Sequence, residues 1–80
     1  MRIFDQDRNK TLKNIILCLT FEEAMELKES LETVMKNKSH TTHEHVNDSE
    51  YEHEITVTLY NDENLYGFNS RLLKVIKKDE

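Results

Sequence analysis

Apolar and polar positions follow three rhythms along this chain. Ile15, Ile16, Leu17, Cys18 and Leu19 form an unbroken apolar run. Short and partly β-branched, it predicts a central buried strand within residues 11–20. From 21 to 37 the rhythm becomes three- and four-residue. Ala24, Leu27, Leu31, Val34 and Met35 recur on one stripe, while Glu22, Glu26, Glu29 and Lys36 fall largely on the other side. That spacing predicts a helix with its apolar stripe against a sheet. From 52 to 60 the pattern alternates strictly: Ile55, Val57 and Leu59 on one face, Glu54, Thr56, Thr58 and Tyr60 on the other. This is the signature of a half-buried strand.

Local signals mark where these elements start and stop. Thr20-Phe21-Glu22-Glu23 is a capping box, in which the Thr20 hydroxyl takes the Glu23 amide and Glu23 reaches back to the Thr20 amide. Glu22 and Glu23 suit the positive end of the helix dipole, and Lys36 and Lys38 the negative end. The chain has no proline and a single glycine, Gly67. Turns therefore fall to Asn, Asp and Ser, whose side chains bond the local backbone. Residues 1–4 read as a short strand that pairs through the polar turn 5–10 with the apolar run. Residues 39–46 read as a loop entering a strand, and 47–50 as a turn. In the tail, Phe68, Leu72 and Ile76 at four-residue spacing favour a helix capped by Asn69 or Ser70. The alternation of Leu73 and Val75 with Lys74 leaves a strand over 71–77 as the alternative. The expected fold is a single α+β domain over residues 1–80, ordered ββαββα. In it, an antiparallel sheet of about four strands carries one or two helices on one face.

Composition narrows the class. Eighty residues make one small domain of marginal stability. Its 21 Ile, Leu, Val and Phe residues supply one thin core. A homodimer would bury the apolar surface left over. Sixteen acidic against eleven basic residues give a formal net charge of -5. Such a surface repels phosphate backbones and argues against nucleic acid. The one dense basic run, Lys74, Lys77 and Lys78, is followed at once by Asp79 and Glu80. A basic protein partner suits this charge better. One cysteine excludes an internal disulfide and fits a reducing compartment. Met1-Arg2-Ile3-Phe4-Asp5 turns polar at once, unlike a signal peptide, and no apolar run approaches the ~18 residues of a membrane span. The expectation is a cytoplasmic protein away from membranes.

Histidine is the only concentration of chemistry. His40, His43 and His45 lie within six residues, with His53 nearby. If the strand from His43 pairs with that from Glu52 across a four-residue turn, Asn47 faces Glu52, His45 faces Glu54 and His43 faces Thr56. Two imidazoles and two carboxylates then share the polar face, a donor set zinc accepts. The ordinary alternative is a solvated face with cross-strand charge pairs, and a lone H-x-H is a weak metal signature. Histidines beside carboxylates also titrate near neutrality. His53 falls on the Ile55 face in that register, as a partly buried edge residue. Cys18 lies in the most apolar run, where a thiol is inert. No glycine-flanked serine elbow or glycine-rich phosphate loop exists, which points away from an enzyme. Tyr60 beside Glu54 and Thr56 gives the polar sheet face the makings of a binding surface.

One further pattern is familiar. Leu19-Thr20 with Glu22-Glu23-Ala24, Leu27 and Leu31, then His43-Glu44-His45 to Asp48, then residues 54–60 (E-I-T-V-T-L-Y), is similar to small, mostly uncharacterised bacterial proteins. It distantly resembles small toxin-immunity proteins. The likeness covers about residues 15–60, and its motifs recur in many folds. It implies a stoichiometric, non-catalytic inhibitor that binds a toxin, which acidic charge suits. The expectation is thus a non-enzymatic, acidic protein-binding module using Glu52, Glu54, Thr56 and Tyr60 on the exposed sheet face, without a cofactor. The alternatives are a zinc-binding domain built on His40, His43 and His45, and a purely structural homodimer.

Overall fold

A computed structural model describes residues 1–37, 42–61 and 64–79. The chain is a mixed α+β protein whose elements run ββαββα: β1 (Phe4–Asp5), β2 (Lys10–Thr11), α1 (Phe21–Lys36), β3 (His43–Asn47), β4 (Glu54–Thr58) and α2 (Ser70–Lys78). A single 3-10 turn, Leu65–Gly67, precedes α2. The strands make two separate two-stranded antiparallel sheets, β1–β2 and β3–β4, in place of the expected sheet of four. Two compact units result, one of Met1–Leu17 with Phe68–Glu80, the other Cys18–Gly67.

In the first unit, Phe4 pairs with Thr11 and Asp5 with Lys10. The turn between them is built on Asp5, whose Oδ1 accepts the amides of Asp7 (3.0 Å) and Arg8 (3.2 Å). Asn9 closes it in the left-handed region, φ 55°, which Asn tolerates through its short polar side chain. α2 is capped by Asn69, whose side chain accepts the Leu72 amide at 2.9 Å, so the helical reading of the tail is the one observed. Its buried face carries Val75, 1% exposed, beside buried Phe68. Arginines tie hairpin and helix together. Arg71 donates to the Asn9 side chain at 2.8 Å and backbone at 3.1 Å, and its guanidinium lies 4.8 Å from the Phe4 ring centroid. Arg2 donates Nε to the carbonyls of Val75 and Ile76 in the last turn of α2. Asp79 closes α2 in the left-handed region with its amide on the Val75 carbonyl, and pairs with Lys13.

The predicted strand through residues 15–19 does not form. β2 ends at Thr11, the amide of Leu12 bonds the Ile3 carbonyl, and the chain then leaves the ladder. Ile15, Ile16, Leu17, Cys18 and Leu19 are all exposed, Ile16 by 86%. An apolar run is a strand only where a neighbouring strand takes up its amides and carbonyls, and β1 is two residues long. Cys18 is accordingly exposed, contrary to the expectation of a buried thiol.

The second unit packs α1 across β3 and β4. The capping box forms as its residues dictate. Glu23 N–H donates to Thr20 Oγ1 at 3.2 Å, and Thr20 N–H to Glu23 Oε1 at 2.9 Å. The hairpin register is His43 with Thr58, His45 with Thr56 and Asn47 with Glu54, two residues away from the expected one. An even slip preserves the faces, so Val46 (buried), Ile55 and Val57 still point to one side. Of the α1 stripe, Val34 is buried and Leu27 half-buried, with Ser30 beside them. Ala24, Leu31 and Met35 stay exposed. Two strands spaced about 4.8 Å apart are narrower than a helix with its side chains, about 10 Å across. They cover one edge of an apolar arc that a four-stranded sheet would have covered whole.

Candidate functional site

Two surfaces of the second unit carry the candidate residues. The first is the polar face of the β3–β4 hairpin. Alternation places His43, His45, Glu54, Thr56 and Thr58 on it. His45 Nδ1 lies 3.1 Å from Glu54 Oε1 and 2.9 Å from Thr56 Oγ1. Thr56 Oγ1 donates its only hydrogen to Glu54 Oε1 at 3.1 Å. With Nδ1 protonated, its N–H serves both oxygens while the Thr56 hydroxyl serves Glu54. The three side chains close a cycle on an exposed sheet face, with Glu54 accepting two bonds.

Glu52 and Tyr60 lie off the strand. Glu52 belongs to the turn between β3 and β4, which pivots on Asp48. Asp48 Oδ1 accepts the amides of Glu52 (2.8 Å) and His53 (3.3 Å), while Oδ2 accepts His53 Nδ1–H at 2.6 Å. His53 is therefore an exposed turn residue, corrected from the partly buried edge position expected of it. The bond to Asp48 raises the His53 pKa above its ordinary value, and its charge adds to the effect. The same bond lowers the Asp48 carboxyl, with the Glu52 and His53 amides acting the same way. Tyr51, inside this turn, has φ 56°. Tyr60 follows β4 and is exposed.

Of the proposed zinc ligands, His43 and His45 stand on β3, and His40 lies outside the described residues. Among the described residues no three His, Cys, Asp or Glu side chains are grouped to hold a metal ion. The second histidine–carboxylate contact, His53 with Asp48, sits in the turn, so the imidazoles serve two separate sites.

The second surface is the uncovered side of α1. Leu19, Ala24, Leu27, Leu31 and Met35 line an open groove of about 640 Å³, with Lys28 and Glu32 beside them. Phe21 and Met25 extend the apolar surface along the helix, 76% and 39% exposed. Lys28 and Glu32 make no ion pair with any described residue. Sequence reasoning placed the stripe but expected the sheet to cover it, and it singled out neither Lys28 nor Glu32. The signal was present in their spacing with Phe21, Met25 and Met35.

No protein-family model matches the chain, and neither does any curated protein or solved structure. No helix among the described residues is long and apolar enough to cross a membrane.

Proposed function

We propose that the chain is a non-catalytic protein-binding module whose contact surface is the uncovered apolar side of α1. The observation that carries this reading is the exposure of Leu31 (43%), Met35 (57%) and Phe21 on one helix that already packs a sheet with its other edge. A contiguous apolar patch rimmed by charge is the usual mark of an interaction surface. Methionines adapt such a surface to a partner's shape. The net charge of -5 would speed encounter with a basic protein, which suits an inhibitor-like role of the immunity kind.

The test is capture from a lysate of the source organism, with wild type and a Leu31→Asp/Met35→Asp variant as paired baits. Both side chains are exposed, so circular dichroism should be unchanged. A protein retained by wild type (a copy of this chain included) and lost with the variant is the expected result. Equal retention by both baits, or none by wild type, removes the reading.

A second reading places recognition on the polar sheet face, favoured by the ordering of His45, Glu54 and Thr56 before any partner arrives. There, Glu54→Ala with Tyr60→Ala should weaken capture while leaving the fold intact, with Glu52 contributing from the turn.

A further inference from the structure

We infer that α1 pairs antiparallel with α1 of a second copy of this chain, about a two-fold axis midway between Lys28 and Glu32. This rests on the reading of α1 as a protein contact surface and names its occupant. Phe21, Met25, Lys28, Glu32 and Met35 succeed one another at alternating four- and three-residue steps. That repeat draws a straight seam along a helix, the form needed to meet a second helix lengthwise.

The charges in the seam select the partner and its direction. Lys28 and Glu32 lie one turn apart, flanked by apolar side chains, and neither has an ion-pair partner among the described residues. A two-fold contact must be self-complementary. In a parallel pair each residue meets its own equivalent, setting Lys28 against Lys28 and Glu32 against Glu32. In the antiparallel pair centred between them, Lys28 meets Glu32 of the second copy, twice over. Met25 then meets Met35, again twice. Glu22 in the first turn approaches Lys36 in the last turn of the other helix, which also suits the helix dipoles. Glu29 of each copy approaches the axis from the solvent side, a repulsion that moderates the pairing. α1 is 16 residues long, about 24 Å at 1.5 Å per residue. A helix pair of that length buries roughly 1,000 Å² in total, the lower bound for a specific interface. An interface at that bound belongs with weak, concentration-dependent pairings.

Sedimentation equilibrium from micromolar to millimolar protein tests this. Wild type should pass from monomer to dimer across the range. Lys28→Glu alone and Glu32→Lys alone should each weaken the dimer about tenfold or more, since each sets like charges together at both contacts. The double exchange, Lys28→Glu with Glu32→Lys, restores opposite charges and should restore the dimer. A wild type that stays monomeric throughout overturns the inference, as does a dimer that either single reversal leaves unchanged. So does failure of the double exchange to rescue a helix that circular dichroism shows intact. If wild type is monomeric yet the Leu31→Asp/Met35→Asp bait loses a different captured protein, self-pairing falls while the binding surface stands.

Discussion

Asp48 does more than any other single side chain to shape the β3–β4 turn. One carboxylate oxygen takes two amides and the other takes the His53 imidazole. Because His53 is raised, its contribution to stability is complete below its ordinary pKa of 6.5 and is lost as pH rises through the folded value. Because Asp48 is lowered, its contribution is complete above 3.8 and is lost as pH falls through the folded value. The pair should thus support the hairpin most between those two limits. Asp48→Asn should return the His53 titration, followed by NMR, toward 6.5 and flatten this dependence. An unchanged His53 midpoint would contradict the contact.

Tyr51 lies three residues further on, 80% exposed and in the left-handed region. A Cβ there costs about 1–2 kcal/mol, and glycine carries none. Tyr51→Gly should therefore raise stability toward urea by up to about 1 kcal/mol, part of the relief being offset by the freedom glycine gains when unfolded. A loss of stability would show that the ring makes contacts worth more than the strain.

The elements were legible where their signals are local. α1 announced itself through four adjacent residues, Thr20 to Glu23, and the capping bonds form as those residues require. Thr20→Ala should cost about 1 kcal/mol in urea unfolding, and no change would mean that α1 is held by its packing alone. α2 was readable from the spacing of Phe68, Leu72 and Ile76 and from Asn69 at its start. The β3–β4 register was legible only to parity. Alternation fixes which face each residue takes, but the shift of two residues came from turn length. Asp48 gathers 48–53 into the connection, where a shorter one was expected. The polar-face set of His45, Glu54 and Thr56 survived that shift, while Glu52 fell into the turn. Residues 15–19 failed for the opposite reason, since whether an apolar run becomes a strand depends on a neighbour that no local pattern specifies.

At the scale of the molecule, the decisive fact is that the four strands do not join. Each two-stranded sheet serves one helix, the first within Met1–Leu17 and Phe68–Glu80 and the second within Cys18–Gly67. Isolated hairpins are marginal without a helix packed on them, and a chain of 80 residues has little apolar surface to spare. Two thin cores leave more of it in water than one would. The mixed α+β order was readable from the sequence, whereas this division was not, because it depends on which strands find each other across long separations.

The uncovered stretch Ile15-Ile16-Leu17-Cys18-Leu19 has a consequence for the protein's life in concentrated solution. It is uncharged, free of proline, rich in β-branched and leucine side chains, and exposed in the folded state. Windows of that description seed cross-β stacking without prior unfolding. Lys13 on one side and Glu22 on the other stand where gatekeeping charges restrain such growth. Ile16→Lys should lengthen the lag before thioflavin-positive fibrils appear while leaving the urea midpoint in place, because the side chain it replaces contributes almost nothing to the native core.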